Sequence, residues 1–272
     1  MKYIIDEFRN ITHLLNELEN RPTNSIFAGH GLDSQQIDND PNPWSGTRTY
    51  EDAEELIKFG YDGILDQLKN RLTVPVKAEN NVRRPKNDVI GFLPNVPNAI
   101  QGLPQSMINV KAVPQKTKVV NIIYAPVSNG GTNPREFIDA GVKMVNVINA
   151  LELNGIRTNL KIAMKFSYAG NEVVAVLVTV KRDSEHLNLK KICFPIAHPA
   201  MLRRFGFKWL ETSPKIQSRM WLGGYGSSNV NDYDRRAIEK KLGNNSTVFT
   251  FKGIRQLNED QIMSAILNQK KS

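Results

Sequence analysis

The residues best suited to chemistry in this sequence are cations that stand beside aromatic rings. Two such clusters occur: the first contains Arg203, Arg204, Lys208 and Trp209, and the second contains Arg219, Trp221 and Tyr225. Proteins that hold single-stranded nucleic acid combine cations that follow the backbone with flat rings that stack on bases. The clusters therefore predict a strand-binding surface, although Phe205 and Phe207, within the first cluster, fit a hydrophobic core equally well.

Further cations lie outside these clusters. Arg83-Arg84-Pro85-Lys86 is predicted to form a compact basic loop, and Arg157, Lys161 and Lys165 alternate with apolar residues between positions 156 and 166. Basic segments of this kind can contact phosphates, and they are also common on solvated surfaces that bind nothing. We expect both groups to converge with the two clusters into one continuous DNA-binding track.

The charge distribution favours a polyanionic partner. The 272-residue chain has a formal net charge of +9. Residues 1–70 contain 6 Lys/Arg and 13 Asp/Glu, a balance of −7, and the remaining residues contain 30 and 14, a balance of +16. A basic body with an acidic N-terminal part often signals a nucleic-acid partner, and an ordinary excess of lysine is the simpler interpretation.

No known catalytic template is present in the sequence. It lacks a glycine-rich phosphate loop followed by Lys-Ser or Lys-Thr, a Gly-x-Ser-x-Gly elbow and a clear carboxylate cluster of the kind a nuclease needs. His13 and His30 have no partner at metal-ligand spacing, and the single cysteine, Cys193, lies in an apolar run. We therefore expect a non-enzymatic protein with no catalytic residues, no metal site and no cofactor.

The location expected from the sequence is the cytoplasm. No apolar run is long enough to cross a bilayer, and the N-terminal residues turn acidic too soon for a signal peptide. We expect no membrane partner.

The fold class is predicted from the segment between Lys118 and Arg182. A β-branched run over residues 119–124 is typical of a buried strand, and a helix begins at Asn133-Pro134 and ends at Asn154-Gly155. An alternating strand over 156–166 and a continuous apolar strand over 173–180 follow. This order predicts an α/β or α+β fold with a mixed central sheet flanked by helices.

The predicted organisation has four parts within one compact domain. They are an acidic helical part (1–70), with a first helix over 4–19, a Pro/Asn-rich connecting segment (71–116), the α/β core (117–255) and a C-terminal helix (256–272). The connecting segment contains six prolines, so its regular structure should be short.

Several motifs resemble a poorly characterised family of phage proteins, and they span most of residues 44–210. The motifs are Trp44-Ser45-Gly46-Thr47 with Ala53-Glu54-Glu55-Leu56 and Gly60, Gly141 through Leu151-Glu152 with Gly155, and His198-Pro199-Ala200-Met201-Leu202-Arg203-Arg204 with Phe207. The resemblance implies a von Willebrand A-like core. Metal-binding members of that fold carry Asp-x-Ser-x-Ser after the first strand. Here the stretch from Tyr124 to Ser128 lacks the aspartate, which implies a degenerate metal site.

Size, basicity and the absence of catalytic motifs also resemble a narrower group, the single-stranded DNA-binding cofactors that recruit a phage-encoded, single-subunit-type RNA polymerase to its promoters. This resemblance implies single-stranded DNA and a phage RNA polymerase as partners, transcription regulation as the role and the host cytoplasm as the location. Homo-oligomer formation stays open. The alternative is a von Willebrand A-like protein-interaction scaffold that holds its partner through the loop from Ser128 to Asn133.

Overall fold

The computed structural model describes residues 2–24, 32–65, 83–112, 118–128, 130–166, 172–216, 238 and 246–268. The chain separates into two compact units. The large unit contains Met1–Val74 and Val119–Ser272, and the small unit contains Pro75–Lys118. The predicted mixed α/β fold is confirmed. The segment predicted as a Pro/Asn-rich connection largely coincides with the small unit.

The elements of the large unit surround one sheet. Its strands are β1 (Lys2–Phe8), β5 (Val119–Ala125), β6 (Arg157–Phe166), β7 (Glu172–Lys181) and β8 (Ser246–Thr250). Its helices are α1 (Ile11–Glu19), α2 (Tyr50–Phe59), α4 (Pro134–Leu153), α5 (Leu189–Ala197), α6 (Phe207–Thr212), α7 (Phe251–Gln256) and α8 (Glu259–Leu267), with a π-helical turn (Met201–Gly206) before α6. The small unit contains β2 (Arg83–Asp88), β3 (Leu93–Pro94), α3 (Val96–Ile100) and β4 (Met107–Ala112).

The large sheet has the strand order β1-β7-β6-β5-β8. Strand β5 pairs in parallel with β6 and with β8, β1 pairs in parallel with β7, and β6 and β7 are antiparallel. Helix α4 is the crossover that a parallel β5–β6 pair requires. Because residues 126–128 follow the carboxyl end of β5, they lie at the edge of the sheet where α/β proteins commonly bind ligands.

The apolar patterns of the sequence explain the layers. The main core lies between one sheet face and helices α1, α2, α4 and α5, and a second cluster on the opposite face contains Ile123, Ala163, Leu177 and Val248. Helix α4 begins at Asn133, whose side chain accepts a hydrogen bond from the Arg135 backbone N–H.

The predicted helix over residues 4–19 is wrong in its first half. Residues 2–8 form β1, and α1 begins only at Ile11, where the Asn10 side chain caps it. Ile4 and Phe8 are buried, and their spacing of four residues fits both a helical face and one side of a strand. Pairing with β7 decides between the two because it satisfies the backbone of residues 2–8.

The small unit is an antiparallel sheet in the order β2-β4-β3. Strand β2 covers a segment that was predicted as a basic loop. In this unit none of the residues whose side chains are described has a buried apolar side chain. The small unit therefore presents surface rather than a core.

Candidate functional site

Arg203, a predicted DNA-binding residue, lies in the interior of the large unit. It is 2% exposed, and its guanidinium donates hydrogen bonds to the carbonyls of Trp44 and Thr132, the latter at 2.9 Å. It lies between two rings, 4.1 Å from the centroid of Trp44 and 4.9 Å from that of Phe137. Burial lowers the pKa of Arg203 to about 10. Arg203 thus joins the segment around Trp44 to the β5–α4 loop and is not available to a DNA strand.

Arg204 is also buried, and it organises the segment before α2. It donates to the carbonyl oxygens of Ser34 at 2.9 Å, Gln36 at 2.7 Å, Thr47 at 2.9 Å and Arg48 at 3.0 Å. Burial lowers the pKa of Arg204, although nearby acidic groups oppose that shift. No carboxylate of the described residues lies within ion-pair distance of it, so backbone carbonyls satisfy the charge. This role corrects the prediction that Arg204 contacts DNA.

The other two members of the first cluster are buried as well. The Lys208 ammonium lies 4.4 Å from the Tyr50 ring centroid, and burial lowers the pKa of Lys208. Trp209 stacks on Phe166 at 6.1 Å and donates from Nε1 to Asp6 at 3.2 Å. Phe205 and Phe207 belong to the core. The prediction that this cluster forms a strand-binding surface is therefore wrong, because its rings and cations pack inside the large unit.

The basic face of β6 is also engaged within the protein. Arg157 forms an ion pair with Glu152 at 3.0 Å and donates to the Asp183 carbonyl at 2.8 Å, and Lys161 pairs with Glu7 at 2.5 Å. Lys165 is buried, since the second apolar cluster covers that side of the sheet. These three residues do not form an open phosphate-binding face, contrary to the prediction.

The remaining predicted residues separate into two groups. Arg83, Arg84 and Lys86 lie on β2 of the small unit, and Lys86 is exposed. Arg219, Trp221 and Tyr225 lie outside the described residues. The convergence of these two groups into one basic track stays a prediction.

Trp44 is a candidate binding residue that the sequence prediction missed. Its side chain is 41% exposed, yet each of its polar groups is hydrogen-bonded. The backbone N–H donates to Asp38 at 2.9 Å, the indole N–H donates to the Gly130 carbonyl at 2.5 Å, and the carbonyl accepts from Arg203. We call the stack of Phe137, Arg203 and Trp44 the Trp44 platform. Its one sequence signal was the Trp44-Ser45-Gly46-Thr47 motif.

An open cleft of about 450 Å³ lies beside the platform. The residues lining it are Asp33, Gln36, Ile37, Asp38, Asn39, Trp44, Ser45, Arg203, Arg204 and Phe207. The formal charges of its wall cancel, because two guanidiniums face two carboxylates. A cleft with this lining suits a neutral flat group with polar edges better than a free anion.

The small unit is basic in composition and has exposed apolar side chains. Residues 75–118 contain seven Lys/Arg and two Asp/Glu, a balance of +5. Arg84 pairs with Lys111 in the β2–β4 register, so two cationic residues occupy opposed positions. The exposed apolar side chains of this unit are Val89, Ile90, Phe92, Leu93, Val96, Ile100 and Leu103.

The part of the chain that the structure describes contains neither a metal-binding cluster nor a helix that could span a membrane. There, no three His, Cys, Asp or Glu side chains are grouped so that they could hold a metal ion. In the same residues, none of the helices combines the length and apolar character needed to cross a bilayer.

Comparison with known proteins identifies a family. The model of a family described as a domain of unknown function (DUF7192) matches residues 2–267. The chain belongs to this family. No curated protein and no solved structure matches it. The DUF7192 match spans both units, so the Trp44 platform and the basic sheet both lie within the family's domain.

Proposed function

We propose that this DUF7192 protein binds single-stranded DNA, without catalysing a reaction on it, through the basic three-stranded sheet of its small unit. The observation that carries the proposal is the composition of that unit together with its exposed apolar side chains. A balance of +5 within 44 residues attracts a phosphate backbone. Exposed apolar groups beside polar ones mark binding sites.

The exposed side chains support a single strand rather than a duplex. Phe92 is 68% exposed, and Ile90 and Leu93 are exposed beside it along the chain. Rings and aliphatic groups contact the faces of unpaired bases, and those faces are covered by neighbouring base pairs in a duplex. Lys86 supplies an exposed cation on the neighbouring strand β2, where Arg83 and Arg84 also lie.

The resemblance to phage transcription cofactors extends this proposal to a protein partner. In that extension the small unit holds the DNA strand, and the acidic part of the chain before residue 70 contacts a phage RNA polymerase in the host cytoplasm. Charge complementarity supports the division, because residues 1–70 carry a balance of −7.

Titration with a labelled single strand tests the proposal. We expect Lys86→Glu to weaken binding and to lower the salt dependence by about one phosphate contact. Lys58→Glu is the matched control, because Lys58 is an exposed lysine on α2 of the large unit. It should leave both quantities unchanged. Equal affinity for duplex, or binding that salt does not weaken, would contradict the proposal.

A protein-interaction module is the second candidate, favoured by the exposed apolar side chains of the small unit. Ile100, which is exposed on α3, distinguishes the two functions. If the surface binds a protein through apolar contacts, Ile100→Glu should abolish capture of that partner while Lys86→Glu has a smaller effect. If the surface binds a DNA strand through phosphates, the order of the two effects should reverse.

A further inference from the structure

Trp44 is held in a fixed orientation although its side chain is 41% exposed. Hydrogen bonds restrain both its backbone and its indole N–H, and the Arg203 guanidinium lies 4.1 Å from the ring centroid. Exposed tryptophan side chains usually retain rotamer freedom. Here that freedom is lost during folding, so a ligand that stacks on the indole does not have to remove it.

The ring of Trp44 has a cation and a second ring beside it. The Arg203 guanidinium lies 4.1 Å from the Trp44 centroid and 4.9 Å from that of Phe137, and the Phe207 ring lies 5.9 Å from the Trp44 ring at a tilt of 36°. Because Trp44 and Phe207 both line the cleft, a planar ligand there can contact aromatic rings, and such contacts are favourable.

The cleft wall is chemically suited to the edge of a nucleobase. Gln36 and Asn39 provide amides and Asp33 and Asp38 provide carboxylates. Some of these groups already bond within the protein, since Gln36 donates to Asp33 at 2.9 Å and Asp38 accepts from the backbone N–H groups of Trp44 and Asp40. Each carboxylate oxygen has a further lone pair with which it can accept from a ligand. The volume of about 450 Å³ falls within the usual range of small-ligand clefts, about 300–1,000 Å³. Because the formal charges of the wall cancel, a neutral base fits it better than a phosphate.

We infer that the Trp44 platform is a stacking site for one unpaired nucleobase, whose polar edge lies along the adjacent cleft. This inference rests on the proposed single-strand binding and concerns a site in the large unit alone. The sheet provides affinity for the backbone. The platform binds a base, so it gives the protein a means of distinguishing unpaired from paired DNA.

The experiment compares the full chain with Trp44→Leu and Trp44→Phe in titrations against a thymidine homopolymer. Removing one stacked base should weaken binding by about 5- to 150-fold in Trp44→Leu, because such a contact contributes about 1–3 kcal/mol. Trp44→Phe retains a ring and should keep most of the affinity. Phe59→Leu is the control, since Phe59 is an exposed ring with no cation stacked behind it among the described residues.

A second ligand separates base stacking from a structural role. A strand of the same length without bases retains its phosphates, so wild-type protein and Trp44→Leu should bind it equally. If Trp44→Leu weakens binding to both strands alike, Trp44 acts through the fold and the platform is overturned. If Trp44→Leu does not unfold cooperatively, Trp44→Phe replaces it. The thymidine strand should then quench the tryptophan fluorescence of the wild-type protein more than that of Trp44→Phe. Equal quenching would overturn the inference.

The outcomes for the two proposals are distinguishable. If the wild-type protein does not bind the thymidine strand, both proposals, single-strand binding and the stacking site at Trp44, are rejected. Wild-type binding that is sensitive to Lys86→Glu but unaffected by Trp44→Leu rejects the platform alone.

Discussion

At the scale of single residues, the main finding is how this protein uses arginine. Arg203 and Arg204 are buried, and both are satisfied by backbone carbonyls and by rings or a hydroxyl rather than by carboxylates. A guanidinium can do this because it has five N–H donors in one plane. Arg204 alone reaches four carbonyls between Ser34 and Arg48, so it gives order to a segment that has little regular structure of its own.

Arg204→Met should lower the free energy of unfolding by at least about 3 kcal/mol. The variant keeps much of the side-chain volume but leaves several buried carbonyls without a donor, and each such group costs about 1–3 kcal/mol. Chemical denaturation measures the effect. Arg48→Met is the matched control, because the Arg48 side chain is exposed, and it should change stability by less than about 0.5 kcal/mol. Similar losses in both variants would contradict the assigned role of Arg204.

At the scale of elements, close packing between α4 and α5 positions the region that supports Trp44. Gly141 lies on α4 where a Cβ atom would come within 2.2 Å of the Ala197 Cβ at the end of α5. The absence of a side chain therefore allows the two helices to approach. The π-helical turn with Arg203 begins shortly after α5, so this approach also determines where Arg203 meets Trp44 and Phe137.

Gly141→Ala should destabilise the protein by about 1–2 kcal/mol. Alanine improves helix propensity by up to about 1 kcal/mol, but overpacking at a tight contact typically costs about 1–3 kcal/mol and should exceed that gain. Thermal unfolding monitored by circular dichroism measures the difference. Gly131→Ala is the control, since a Cβ there meets no atom within 4 Å. A rise in stability for Gly141→Ala would show that the helices can separate at little cost.

At the scale of the whole molecule, buried titratable groups link the stability of the large unit to pH. Burial lowers the pKa of His198 to about 4, and its Nδ1 atom accepts a hydrogen bond from the Ala200 backbone N–H at 3.2 Å. Burial also acts on Glu152, but hydrogen bonds from Lys181 and Thr158 outweigh it and hold the pKa of Glu152 below its usual value. Both groups favour the folded state only in their deprotonated forms.

The free energy of unfolding should fall as the pH is lowered from about 6.5 to 4. In this range the unfolded chain binds a proton at residue 198 and the folded chain does not, which amounts to a loss of roughly 2–4 kcal/mol. The contribution of Glu152 is lost only at lower pH. Denaturation of His198→Asn at several pH values checks this, because asparagine keeps an acceptor without titrating. An unchanged pH dependence in that variant would assign the effect to other groups.

The sequence by itself determined the local elements of the main sheet. The strands over residues 119–125, 157–166 and 172–181 and helix α4 were predictable because hydrophobic periodicity, Asn133-Pro134 and Asn154-Gly155 act within a few residues of one another. Residues 2–8 were mispredicted because their spacing fits two periodicities and only pairing with β7 resolves it.

Only the tertiary structure decided which cations and rings are accessible. Trp44 and Arg203 are 159 positions apart, and Thr47 and Arg204 are 157 positions apart. No local pattern indicates that such distant residues bury one another. A sequence records that a side chain is cationic or flat, but burial depends on distant segments that the fold brings together. For this reason the composition pointed to strand binding, whereas the residues now proposed to carry it, Trp44 and the exposed side chains of the small unit, emerged only from the folded chain.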